Sequence, residues 1–216
     1  MHQRELLILT PMVMEARAVR RALADLSLPP ALSLRFSTIG ISACELKDDL
    51  SNPQLSAIIL AGFAGALRPD LRLGDVLIEI HPANFPLNTS LARGKIHTAD
   101  QIISTPADKA AVHQRTGACA VEMEYTIIKN RMTRPDLPLI HVRCISDAAD
   151  EPLEEILLNW IDPLGRPKLF PIAAGVLKNP RHIRTLRKLQ SAVKAASPPL
   201  GKAVRQVVES LCNTKK

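Results

Sequence analysis

Short apolar runs of strand length recur along the chain, at residues 5–10, 32–39, 56–60, 76–80, 95–98, 118–122 and 138–145. Between them lie stretches with apolar residues at helical spacing, 13–26, 106–116 and 123–132, and residues 40–42 turn into a further helix ending near Leu50. Thr105 and Pro106 stand where a helix cap and first-turn proline belong. Residues 81–93 have the Pro, Asn and Ser content of a loop. The small residues Ala61-Gly62-Phe63-Ala64-Gly65-Ala66 read as a tight strand-to-helix loop whose amides can approach an anion or a sugar. Strand alternating with helix predicts an α/β fold, with a central mixed, mostly parallel sheet flanked by helices.

After Asp150 the pattern changes. Residues 151–161 read as a helix and 162–168 as a Pro/Gly turn, followed by three basic amphipathic helices at 169–177, 180–196 and 200–212. The division expected is a core over residues 1–150 and a basic helical C-terminal extension over 151–216, packed on the same domain. Of the 216 residues, 46% are hydrophobic, enough for one substantial core. No stretch reaches the roughly 20 apolar residues of a spanning helix, and the first residues enter a strand without signal-peptide architecture. The four cysteines, 44, 119, 144 and 212, show neither CxxC nor metal-ligand spacing. A cytoplasmic protein with reduced thiols, no metal and no redox cofactor is the expectation.

Net charge is +7, unevenly distributed. From Arg166 to Lys216 there are 12 Lys and Arg against one acid, Glu209, leaving 16 basic and 20 acidic residues before it. The basic helices either pack on the sheet with a solvated outer face or make a peripheral contact with anionic lipid headgroups at the inner membrane face. Nucleic acid is not expected, since one Trp and one Tyr offer few stacking platforms.

Acidic residues collect where strands end. Ser146-Asp147 closes the 138–145 run, Glu122-Met123-Glu124 closes the run before it, and Glu15 follows the first strand. In open α/β sheets, ligands bind at the carboxyl rim. A carboxyl at Asp147, partly desolvated, can donate a proton; a helix N-cap serves the same spacing. If the strand persists through Glu122 and Glu124, only one of the two faces a cleft. Glu15 also suits the first turn of a helix on dipole grounds alone.

Taken together, the blocks Thr10–Glu15, Ala61–Leu67 with Gly74-Asp75-Val76, Ala120–Glu124 and Val142–Asp147 occur in one order. They resemble the purine nucleoside phosphorylases and the methylthioadenosine/S-adenosylhomocysteine nucleosidases over about residues 5–150. Within that, residues 94–124 and the basic tail look most like the hopanoid-associated phosphorylases. The resemblance implies cleavage of the N-glycosidic bond of an adenine-type nucleoside, by water or by phosphate as co-substrate, on a hopanoid-linked or other 5′-substituted adenosine. Asp147 with Ser146 looks like the acid that protonates N7 of the purine. Glu124 is similar to the residue that grips the ribose hydroxyls, Met123 lies along the ribose face, and Glu15 matches the acid that orients the attacking water. Gly62 and Phe63 belong to the Gly-rich loop where the family holds phosphate or water at the substrate, and Ile103 to the segment that places backbone groups near the base. A homo-oligomer binding a small purine nucleoside is implied.

Two departures stand out. Phe63 occupies a place where the family keeps Ser or Thr, and a phenyl ring cannot hold phosphate; it suits packing against an apolar substituent instead. Only residues 82–93 separate the fourth and fifth runs, where the nucleosidases carry a longer insertion, so the site is more open or is completed by a partner subunit. The rival to catalysis is a degenerate protein of the same fold that binds a nucleoside, or associates with a membrane, without cleaving.

Overall fold

The computed structural model describes residues 4–154 and 156–213, with the backbone alone for Leu157 and Leu158. Met1–Gln3, Glu155 and Thr214–Lys216 lie outside the described residues, and with them the very start of the chain as read above. The strands are β1 (Arg4–Thr10), β2 (Leu32–Thr38), β3 (Leu55–Ala66), β4 (Val76–His81), β5 (Ala92–Arg93), β6 (Ile96–Thr98), β7 (Ala120–Glu122) and β8 (Leu139–Asp147). They form one mixed sheet in the order β2-β1-β3-β8-β4-β5, with β7 joined to β3 and β6 joined to β7. The central strands β1, β3 and β8 run parallel and are buried almost throughout, as continuous Leu, Ile and Val runs require. The α/β alternation is therefore realised as expected.

The helices are α1 (Val13–Leu23), α2 (Pro106–Thr116), α3 (Tyr125–Arg131), α4 (Ile156–Asn159), α5 (Leu169–Lys178) and α6 (His182–Asn213). α1 and the C-terminal half of α6 cover one face of the sheet. Val19 and Leu23 meet Leu200, Val204, Val207 and Leu211 over Leu6, Ile8, Ile59 and Val142. Contact is close because Gly201 has no side chain; a Cβ there would lie 2.8 Å from Ala22 Cβ and 2.9 Å from the Ala18 carbonyl oxygen. α3 covers the opposite face with Ile128 beside Leu7, Leu9 and Leu139.

Four expectations are corrected. Ala61–Ala66 is not a loop but the second half of the twelve-residue strand β3. Its glycines mark close approach of other groups to a strand, not a turn. Residues 41–43 form a single 3-10 turn instead of a helix reaching Leu50, because Ser42 and Ala43 take left-handed φ of 55° and 51°. Among the described residues of the 151–161 segment, the helix is Ile156–Asn159. Pro152 disfavours helical geometry in the residue before it. Finally, the expected helices 180–196 and 200–212 are one helix running through Pro198 and Pro199. Two lost N–H donors do not end it, since Ala196, Leu200, Ala203 and Val204 bury their side chains across the junction.

The α1–α6 crossing should be sensitive to bulk. Gly201→Leu is expected to lower stability by about 1–3 kcal/mol. Chemical denaturation checks this, and an unchanged midpoint would show that the helices can separate without loss.

Candidate active site

Two strands approach the same edge of β3 from opposite directions. β1 runs parallel to β3 and its last paired residue, Leu9, stands opposite Leu60. β7 runs antiparallel, and its pairing begins at Val121 opposite Gly65. Residues 61–64 of β3 therefore have no strand on that side. Buried backbone donors and acceptors need partners, and side chains supply them. The Phe63 N–H donates to Glu15 Oε1 at 2.7 Å, and the Phe63 carbonyl accepts from Arg143 Nη1 at 3.2 Å.

Glu15 reaches this gap from the third position of α1. Its other oxygen accepts from the Met12 N–H at 2.7 Å, half of a capping box. The side chain serves the helix N-terminus and the strand gap at once. Only 1% of Glu15 is exposed. Burial pushes its carboxyl up to about 8, against the pull of Arg143 and the two amides.

Arg143, fully buried on β8, is the centre of the cluster. Its Nη2 donates to Glu122 Oε2 at 2.6 Å and Glu124 Oε2 at 2.9 Å, and its Nε to His141 Nε2 at 2.7 Å. The last bond leaves His141 Nε2 without a hydrogen, so a neutral ring carries it on Nδ1. Burial keeps that imidazole below its ordinary range, and the ring stacks on Tyr125 at 4.8 Å. Arg143 was not among the expected site residues. Its signal was a cation in the middle of an apolar strand, a residue type that is buried only when paired.

Glu122 and Glu124 both face Arg143, against the expectation that one would turn away. β7 ends at Glu122, so strand alternation no longer separates them. Their roles differ. Glu122 accepts from Thr98 Oγ1 at 2.6 Å and from the backbone of Glu124 and Tyr125 at the start of α3. Burial opposes its charge, but Arg143, His141 and Thr98 outweigh burial and hold it below the usual carboxylate range. Glu124 accepts the N–H of left-handed Ser42 at 2.9 Å. Burial, with Glu122 adding repulsion, raises it above its ordinary value. Met123 lies half-buried between the two acids.

Gly62 lies directly under this cluster. A Cβ there would collide with the Arg143 guanidinium and stand 2.9 Å from Glu15 Oε1. Three residues on, roughly 10 Å along the strand, Gly65 repeats the arrangement: a Cβ would lie 2.9 Å from Asp147 Oδ2. A register shift after Ala64 puts Asp147 opposite Gly65. The two glycines thus open β3 to the two acidic groups.

Asp147 ends β8 with its side chain 19% exposed. Its Oδ1 accepts from Ser146 Oγ at 3.0 Å, and its Oδ2 from Lys109 Nζ at 2.6 Å. Lys109 comes from α2, is 1% exposed, and also donates to the carbonyls of Ala148 at 2.7 Å and Glu151 at 3.0 Å. All three ammonium hydrogens are spent. Lys109 gave no signal in the sequence, where it sits among small residues of a polar helix. Ile103 packs against Leu67, Ala99, Val112 and Val121, at the edge of the same region. The Phe63 ring belongs to the main core beneath α1 and α6 and is 9% exposed. Its backbone, not its ring, addresses the cluster. Among the described residues no group of His, Cys, Asp and Glu is arranged to hold a metal ion. Burial pushes the Cys144 thiol up to about 12, which leaves it a weak nucleophile at neutral pH.

The pH dependence of stability follows from Glu15. Because its folded carboxyl is raised to about 8 from 4.5, its contribution is complete below about pH 4.5 and is lost as pH rises through 8. Glu15→Gln, which mimics the protonated form, should therefore show a shallower fall in thermal midpoint between pH 5 and 8.5 than the unmodified chain. Parallel profiles would remove Glu15 as the titrating group.

Comparison with known proteins bears on the fold. Residues 83–177 match the family model of the Phosphorylase superfamily. No curated protein matches the sequence at a significant level. Among solved structures, a 5′-methylthioadenosine/S-adenosylhomocysteine nucleosidase of Helicobacter pylori superposes with a TM-score of 0.64 at 16% identity, covering 97% of this chain and 99% of that one. Futalosine hydrolase of Helicobacter pylori gives 0.62 at 17%, covering 96% and 98%. A 5′-methylthioadenosine nucleosidase of Arabidopsis thaliana gives 0.61 at 12%, covering 100% and 98%. The chain thus shares its fold with these solved structures along its whole length, and residues 83–177 are similar in sequence to the phosphorylase superfamily.

Proposed function

We propose that the protein cleaves the N-glycosidic bond of an adenine-type nucleoside, with water as the nucleophile. The observation that carries this is the pairing of two acidic groups along one strand, Asp147 over Gly65 and the Glu15–Glu124–Arg143 cluster over Gly62. The purine binds at the Asp147 end and the ribose at the cluster, with Ile103 beside the base and Met123 along the sugar. By their names, the solved nucleosidases of Helicobacter pylori and Arabidopsis thaliana act on 5′-methylthioadenosine.

In this reading the proton that Lys109 Nζ shares with Asp147 Oδ2 passes through the Asp147 carboxyl to N7 as the C1′–N9 bond breaks, so that the base leaves neutral. Lys109 is left as the amine until it regains a proton from solvent. Ser146 and Lys109 fix the carboxyl's orientation. Glu124 accepts from the ribose hydroxyls with lone pairs that Ser42 and Arg143 leave free, and its charge stabilises the sugar as it becomes cationic. Glu15, raised to about 8 by burial, takes the proton of the attacking water. Reaction therefore quickens as pH climbs towards that value. Water is favoured over phosphate because the Phe63 ring lies in the core and offers no hydroxyl for an anion. A 5′-substituted adenosine, with a hopanoid-linked one the narrower case, is the substrate class this reading takes.

The test is to incubate the protein with adenosine and methylthioadenosine, with and without phosphate, and to follow free adenine. Adenine release without phosphate is expected, and Asp147→Asn should lower it by about 10²–10⁴-fold. Turnover that requires phosphate would make the chain a phosphorylase. Nucleoside binding without release, indifferent to Asp147→Asn, would make it a non-catalytic binding protein.

A further inference from the structure

α5 is the one helix of more than one turn, among the described residues, that buries none of its side chains. Its sequence is the wrong one for that position. Leu169, Phe170 and Leu177 are 77%, 85% and 84% exposed. Phe170, Ala173 and Leu177 follow i, i+3, i+7 spacing, so they line one stripe, with Leu169 beside it. The opposite face is occupied. Ile172, Gly175 and Val176 are half-buried, and a Cβ on Gly175 would stand 2.9 Å from the Trp160 ring. α5 thus sits on Trp160 and turns its largest apolar residues to solvent.

Cations bracket the stripe. Arg166 and Lys168 precede it, and Lys178 and Arg181 follow; all four are exposed. The first turns of α6 continue the basic surface with exposed Arg184, Arg187 and Lys188 around Ile183, which is 39% exposed. A cavity of about 380 Å³ opens among Arg181, His182, Arg184 and Lys188, with Glu154 on its wall. Glu154 accepts from Thr185 at 2.6 Å, and Lys188 lies 3.4 Å from Glu151. Arg181, Arg184 and Arg187 have no carboxylate partner among the described residues' ion pairs. No acid occurs from Arg166 to Val208.

We propose that α5 and the first turns of α6 form a docking surface for an anionic lipid bilayer, with Leu169, Phe170 and Leu177 entering the headgroup–acyl boundary. Apolar residues on one side of a short helix, with Lys and Arg bracketing them and no acid, fit a helix that lies in the plane of a membrane surface. The basic cavity receives a headgroup phosphate beside the inserted stripe. No helix among the described residues is long and apolar enough to cross a membrane, so contact is peripheral. A second copy of this chain is disfavoured as occupant, because the same face would bring a basic surface against a basic surface.

The test is independent of catalysis. The unmodified protein is spun with vesicles of phosphatidylcholine alone and of phosphatidylcholine with phosphatidylglycerol, at low and high salt. Co-sedimentation at least about tenfold greater with the anionic vesicles, reduced by salt, is expected. Two variants separate the contributions, and both alter only exposed positions. Leu169→Ser with Phe170→Ser and Leu177→Ser should abolish retention that survives moderate salt. Arg181→Glu with Arg184→Glu should abolish the preference for anionic lipid. The idea is overturned if the protein stays in the supernatant with both vesicles, or if the triple variant sediments like the parent. It is equally overturned if sedimentation equilibrium shows a dimer that the triple variant dissolves.

Discussion

The site depends on an interruption in hydrogen bonding. β1 stops at one end of the β3 edge and β7 starts at the other, and the peptide groups of Phe63 between them are too deep to be satisfied by water. A strand would have closed the edge. A carboxylate and a guanidinium close it instead, and they bring their charges with them. The side chains of the cluster are thus fixed by the same bonds that complete the sheet. This is an economical way to hold a carboxylate still, because a single misplaced ångström at a reacting centre costs orders of magnitude in rate.

Charge balance then sets the character of each acid. One guanidinium faces three carboxylates, and burial makes uncompensated charge expensive. Glu122, gripped by Arg143 and Thr98 and capping α3, takes most of the compensation and is structural. Glu124 is raised but keeps its hydrogen bond from Arg143 and its charge, whereas Glu15 is left under-compensated and is pushed up to about 8. Groups with that property are the ones able to exchange protons with a substrate near neutrality. Asp147 lies outside this competition, with Lys109 as its own counter-ion.

Much of this was legible in the sequence because it rests on periodicity. The seven apolar runs became strands, and the acids at their ends became the candidate site. The sequence was silent where chemistry overrode local preference. Ala61–Ala66 looked like a loop since glycine is rare inside strands; the side chains that need the space come from residues 15, 143 and 147. Pro198-Pro199 looked like a helix end, although burial on both sides carries the helix through. Lys109 could not be found at all. Its burial depends on two carbonyls in a loop some forty residues away, which no local pattern encodes. Arg143 was visible in principle, as a charge that a buried strand tolerates only beside partners.

The double proline of α6 has a consequence for motion. Pro198 and Pro199 donate no amide hydrogens, so the ladder is interrupted where the helix passes from its exposed basic half to the half buried against α1 and the sheet. The two halves are one rod in shape but two units in cooperativity. The amides of the outer half can open and exchange with solvent without disturbing those of residues 200–211, whose exchange waits on loss of the core. The end of the molecule that turns its apolar residues outward is thereby free to breathe while the sheet beneath the acidic cluster stays shut.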